Sequence, residues 1–238
     1  MSAASPAALF GAMKLRAVCF DYGGTLDGHG THWLPHFFAL YRAAGVALTF
    51  EQLRPAFDYA TQRGYADPDM PRRGLQHLVQ CHVRWQVEVL GGDAAAVGEH
   101  VARQFVAESR AALVESRAVL TRLRRRVALG VISNFYGNLD RVLAEAGIGE
   151  LLTAIVDSTR VGVSKPDPAI FAVALQQLGC TAADALYVGD SFDKDIVGAR
   201  AAGWRTAWLA PTDERPCPAP DLVDVRVRRL ADVEAVVE

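Results

Sequence analysis

Five short runs along the chain are apolar almost without interruption: "LRAVCF" (15–20), "VALGVI" (127–132), "LLTAIV" (151–156), "ALYVG" (185–189) and "RTAWLA" (205–210). Runs of this kind, without alternating polar positions, read as strands buried on both faces. Between the later ones, apolar residues recur at helical spacing over about 137–147, 167–178 and 192–202. This β-α-β-α succession predicts a doubly wound α/β fold, a parallel sheet with helices on both faces.

Residues 30–112 break the pattern. "THWLPHFFALYRAAGV", "TFEQLRPAFDYATQRGY", "RRGLQHLVQCHVRWQVEVL" and "AAAVGEHVARQFVAESR" read as four helices with no convincing strand among them. The expected organisation is a core of residues 13–29 and 113–238, interrupted by a helical cap over 30–112. Residues 1–12 read as a flexible extension, and the proline-rich "APTDERPCPAP" (210–220) as a surface connection,.

The first four strand-like runs deliver something polar at or after their ends. The first ends at Asp21, the second at Ser133 and Asn134, and the fourth at Asp190 with Asp195 shortly after. Lys165 follows the third in "VGVSKPDPAIF". In an open parallel sheet these residues converge on the carboxyl edge, where ligands bind. Taken singly, each aspartate reads as a turn former or helix cap, and Lys165 as a solvated loop residue.

Composition narrows the partners. The 238 residues are 51% hydrophobic, enough for one large core and a smaller one,. The formal net charge of −2 gives no general attraction to nucleic acid or to an acidic membrane surface, so a small molecule is the expected partner,. The four cysteines show no metal-ligand spacing and read as reduced thiols of a cytoplasmic protein,. "MSAASPAALFGAM" lacks a basic leader and a signal-length apolar core, so secretion is not indicated,.

"FDYGGTL", "VISNF", "SKPDPAIF" and "GDSFDKDIVGA", in that order and each at a strand end, resemble the four motifs of the haloacid dehalogenase (HAD) superfamily of phosphohydrolases. The helical insert resembles the C1-type cap of that family. The resemblance implies a Rossmann-like core and a Mg²⁺-dependent phosphatase acting on a small phosphorylated metabolite, as a monomer or homodimer. It implies Asp21 as nucleophile, forming an aspartyl phosphate. Backbone amides around Tyr22, Gly23 and Gly24, together with Ser133 and Asn134, would cradle the phosphoryl group. Lys165 would offset charge; Asp21, the carbonyl of Gly23 and Asp190 would bind Mg²⁺; Asp195 would position a metal water or Lys165.

Gly23 departs from the family pattern. Phosphatases of this type carry a second aspartate there, which protonates the leaving oxygen and then activates water. Glycine does neither, a deficit of ~10²–10⁴-fold in rate that leaves a slow or leaving-group-selective enzyme. Asp27, His29 and His32 lie close enough in sequence to substitute. A glycine at 23 is also expected where the turn needs a positive φ. Arg63, Arg72 and Arg73 are candidates to line a mouth for an anionic substrate. Two alternatives stand beside the phosphatase: a haloacid dehalogenase, which lacks the second acid but also the carboxylate at Asp190, and a catalytically weak protein that binds a phosphorylated ligand.

Overall fold

The computed structural model describes residues 15–212 and 216–237, so the expected extension over residues 1–12 lies outside the described residues. Among these, six parallel strands form one sheet in the order β3-β2-β1-β4-β5-β6: β1 Ala17–Phe20, β2 Ala128–Ser133, β3 Ala154–Asp157, β4 Ala185–Gly189, β5 Arg205–Leu209 and β6 Val225–Val227. All five expected strands are present. β1 lies at the centre, with Val18 opposite Leu129 on one side and Leu186 on the other. Its side chains alternate between two cores. Val18 and Phe20 pack on the face that carries the larger core, Ala17 and Cys19 on the face with Phe171 and Trp204. Burial on both faces is the physical reason for the uninterrupted apolar runs.

Four helices fill the interval between β1 and β2: α1 Trp33–Ala43, α2 Phe50–Ala66, α3 Leu75–Leu90 and α4 Gly92–Leu123. Thr49 starts α2 with a capping box, its hydroxyl accepting from the Gln52 N–H while the Gln52 side chain accepts from the Thr49 N–H,. α4 is longer than the sequence pattern suggested. Its 32 residues form a rod of about 48 Å,, and residue 112 lies inside it rather than at a boundary. Leu113, Val119, Leu120 and Leu123 carry its apolar face into the sheet core. Ser116 of the same helix donates to the carbonyl of Leu26 at 2.7 Å and so pins the turn that follows β1.

The remaining helices are α5 Leu139–Glu145, the single turn α6 Ser158–Val161, α7 Pro168–Leu178 and α8 Val197–Ala201. The helix expected over 192–202 divides into a wide turn, Phe192–Ile196, and α8. No helix among the described residues is long and apolar enough to cross a membrane.

Candidate active site

The ladder itself aims Asp21. Its N–H still donates to Val188 of β4 at 2.9 Å, so the carboxylate leaves the sheet from the last paired position. Oδ1 of Asp21 accepts from the Ser133 hydroxyl at 3.1 Å and from Lys165 Nζ at 2.6 Å. The ammonium of Lys165 also donates to Asp195 Oδ1 at 2.7 Å and to the Tyr187 hydroxyl at 2.9 Å, which uses all three of its protons,. Tyr187 in turn donates to the carbonyl of Ile132. Asn134 fixes the Lys165 main chain from both sides, donating to its carbonyl at 3.0 Å and accepting from its N–H at 2.8 Å. The Asn134 amide is therefore engaged by the lysine loop, although the residue still lines the cavity.

Asp190 completes the cluster at the end of β4. Thr25 donates to its Oδ1 at 3.0 Å and accepts from its N–H at 3.1 Å, while Trp208 donates to its carbonyl. Oxygens of Asp21, Asp190 and Asp195 lie within 4.8 Å of one another, and all three side chains are buried. Burial, and then the charges of Asp21 and Asp195, push the Asp190 carboxyl well above the ordinary range. Burial likewise raises Asp195, against the pull of Lys165, to about 6. Burial opposes the charge on Lys165, but Asp195 and Asp21 outweigh it and hold its pKa above the usual lysine value. Three carboxylates thus face one buried ammonium. The surplus negative charge and the all-oxygen donor set fit a hard divalent cation such as Mg²⁺. Asp195 has both oxygens engaged, by Lys165 and by the Ser191 N–H, so it holds the lysine.

The turn after Asp21 corrects two expectations. The positive φ belongs to Gly24, at 99°, where a Cβ would also meet Asp190 oxygens at 2.8 and 2.9 Å. Gly23 has an ordinary backbone (φ −76°, ψ 102°), and a Cβ there would meet nothing closer than Trp33 Nε1 at 3.5 Å. Sterically, then, position 23 is open to aspartate. The second correction concerns the phosphate cradle. The Gly24 N–H donates to Asp27 Oδ1 at 2.7 Å and is not free to bind a phosphoryl oxygen. Gly23 lines the cavity, whereas the Tyr22 side chain is buried with its ring against Phe135.

The same bond places the first of the candidate substitute acids, Asp27. Asp27 is buried with its second oxygen accepting from Trp33 Nε1 at 2.7 Å, and burial raises it to about 7. It braces the turn and does not line the cavity. His29 is more than half exposed, 4.0 Å from Glu115. His32 alone of the three lines the cavity. Its Nδ1 accepts from the Leu34 N–H at the start of α1 at 3.3 Å. Of the arginines, Arg63 lies over the Tyr59 and Trp85 rings, Arg72 pairs with Asp69 and Arg73 with Asp67. None of the three lines the cavity.

The cavity over Asp21 measures about 250 Å³. Asp21, Gly23, Ser133, Lys165 and Asp195 form its sheet side, and side chains from α1, α2 and the loop after β2 form the other. Thr25 and Tyr187 escaped the sequence reading. Tyr187 sits in a run that reads wholly as core, and nothing in "ALYVG" signals its hydroxyl contact.

A profile of haloacid dehalogenase-like hydrolases matches residues 15–203. The chain belongs to the HAD family. Among its HAD relatives, a phosphoserine phosphatase of Thermus thermophilus is 38% identical over 125 residues, covering 50% of this chain and 48% of that protein. The chain thus spans about half the length of that relative. The bovine haloacid dehalogenase-like hydrolase domain-containing protein 3 is 30% identical over 181 residues, 71% of each chain. An L-2-haloacid dehalogenase of Xanthobacter autotrophicus, solved with chloropropionic acid covalently bound, shares the fold with a TM-score of 0.58 at 19% identity, over 94% of this chain and 98% of that one. The HAD-type hydrolase YfnB of Bacillus subtilis, solved with magnesium, superposes with a TM-score of 0.59 at 18% identity, over 94% and 99%.

Proposed function

We propose that this HAD hydrolase cleaves small phosphomonoesters in a Mg²⁺-dependent reaction through an aspartyl phosphate on Asp21. The observation that carries this reading is the buried carboxylate cluster at the sheet edge, with Asp21 fixed through one oxygen only. Ser133 and Lys165 hold Oδ1, which leaves Oδ2 to attack. Oδ2 forms a bond to phosphorus as the bond to the leaving oxygen breaks, and that oxygen departs with the electron pair. Gly23 supplies no proton, so the leaving oxygen takes one from solvent. Water then attacks phosphorus, the bond to Asp21 breaks, and inorganic phosphate leaves with the carboxylate restored. Asp21, Asp190 and the Gly23 carbonyl would hold Mg²⁺, and the chemistry supplied there is neutralisation of charge on the phosphoryl oxygens. Helices α1 to α3 and the first part of α4 serve as the cap over the substrate. The free cysteines agree with a cytoplasmic setting,.

Relatives named as phosphatases support the reading, as does the extra buried carboxylate at Asp190, which has no task in displacing halide from carbon. The test compares Asp21→Asn with the parent protein over a panel of phosphomonoesters, with and without EDTA. The variant is expected to lose at least ~10³-fold in turnover, because a neutral amide does not attack phosphorus, and EDTA to abolish the parent's activity. Full activity in either condition would sink the mechanism. Chloride release from 2-chloropropionate would favour the dehalogenase alternative.

A further inference from the structure

The wall of the cavity opposite the sheet carries no arginine, lysine or carboxylate from α1, α2 or the loop 134–136. It is built from the rings of Trp33, Phe57, Tyr65, Phe135 and Tyr136, with Thr61, His32 and Asn134 as its other polar members, while Ser191 and Lys194 line the cavity from the turn after β4. Phe57, Thr61 and Tyr65 follow one another at four-residue intervals and so share one face of α2,. The rings brace each other: Trp33 meets Phe135 edge-on at 6.2 Å, Phe135 lies 5.4 Å from Tyr136, and Tyr136 lies 4.8 Å from Tyr65. Gly64 lets this happen. A Cβ at that position would come within 2.9 Å of the Tyr136 ring, so the bare backbone of α2 is what admits it.

Behind Thr61 stands a buried His82, its Nε2 3.3 Å from the Thr61 hydroxyl and its Nδ1 2.7 Å from the Gln86 amide nitrogen. The ring stacks on Phe37 and leans on Phe57, which fixes the wall from the rear. Five rings on one wall offer a leaving group flat apolar faces and edges, the surface on which another aromatic ring packs best,.

We propose that the leaving group seated in this cavity is a small aromatic alcohol or phenol, its ring held among Trp33, Phe57, Phe135 and Tyr136. The proposal rests on the phosphatase reading for the reaction, but the wall itself does not depend on it. Gly23 agrees from a separate direction, since phenols leave without a proton more readily than aliphatic alcohols do.

The test removes that leaving-group effect. Benzyl phosphate and cyclohexylmethyl phosphate release alcohols of nearly equal basicity and size, and differ in whether the ring is flat and aromatic. The benzyl ester is expected to have at least fivefold higher kcat/KM, within the roughly two- to tenfold that each aromatic contact contributes. In parallel, calorimetry in the presence of Mg²⁺ compares benzylphosphonate with cyclohexylmethylphosphonate, neither of which can be hydrolysed at phosphorus. A fivefold or greater preference for the benzyl compound supports the aromatic seat even if neither ester turns over, in which case the phosphatase reading alone fails. Equal affinities, or a preference for the saturated ring, overturn the proposal even if both esters are hydrolysed. Phe57→Leu should bring the benzyl preference down toward parity, and an unchanged ratio in that folded variant would overturn the seat assigned to the ring.

Discussion

The two walls of the cavity are organised on opposite terms. On the sheet side, Ser133 and Lys165 meet Asp21 across sequence separations of 112 and 144 residues, and the polar groups there are tied to one another at 2.6–3.1 Å. On the helical side, Phe57, Thr61 and Tyr65 lie within nine residues of one helix, and the rings meet one another edge-on or tilted, with the Thr61–His82 contact behind them. A parallel sheet gathers distant residues because every strand ends at the same edge. A helix presents neighbours at fixed intervals. In this molecule the first arrangement carries charge and the second carries shape.

Breaking the sheet side should have the larger consequence. Lys165→Met would leave the buried carboxylates of Asp21 and Asp195 without their cation, and breaking a buried pair in this way costs about 3–5 kcal/mol. Urea unfolding of the variant should show that loss; a change under 1 kcal/mol would mean the network is not the keystone of that edge. Gly23→Asp comes next. The backbone and the space at 23 both admit the side chain, so turnover of alkyl phosphates should rise tenfold or more, within the ~10²–10⁴ range of a positioned acid. No gain in a folded variant would mean that the leaving oxygen already receives a proton, and His32 would be the group to replace next.

The helical side yields to smaller changes. Gly64→Ala forces a methyl against Tyr136, and the strain should cost about 1–3 kcal/mol, with KM changing more than kcat,. A fall in kcat alone would show that the two walls are not separable.

Acid titration sharpens the comparison further, because each side holds one buried group shifted by burial. Burial depresses the His82 pKa to about 3, with His32 adding to the effect, so its contribution to stability is lost as pH falls from about 6.5 toward 3,. Asp27, raised to about 7, has the opposite sign: it favours folding more as pH falls from 7 toward its unfolded value,. Relative to the parent, His82→Leu should gain, and Asp27→Ala should lose, on the order of 1 kcal/mol between pH 7 and 5.5. Melting temperatures across that range read both, and equal slopes in the two variants would refute the assignment.

Much of this was legible in the residues. Five strands, and the polar groups at or after the ends of the first four, followed from uninterrupted apolar runs, since a strand buried on both faces has no alternating polar positions. β6 was not, because "VRV" is three residues long and carries Arg226 on an edge strand. The length of α4 was hidden as well: no glycine or proline punctuates the passage from insert to sheet, and the apolar spacing continues through Leu123. Nearness in sequence misled for Asp27 and His29, because the turn after β1 sends one inward against Trp33 and the other out to solvent. Thr61 and Phe57 share a helix face, a pattern visible in the sequence, but the sequence alone does not say which face looks at Asp21.

The surroundings of Lys165 have a consequence in symmetry. Its ammonium faces three acceptors: Asp21 just after β1 at 2.6 Å, Asp195 in the turn after β4 at 2.7 Å and Tyr187 of β4 at 2.9 Å. That socket is a tripod, and a tetrahedral nitrogen fills it with no proton left over. A guanidinium carries the same charge on a flat fork of five donors. Lys165→Arg therefore preserves the electrostatics and violates the geometry, and it should fail to restore what Lys165→Met removes.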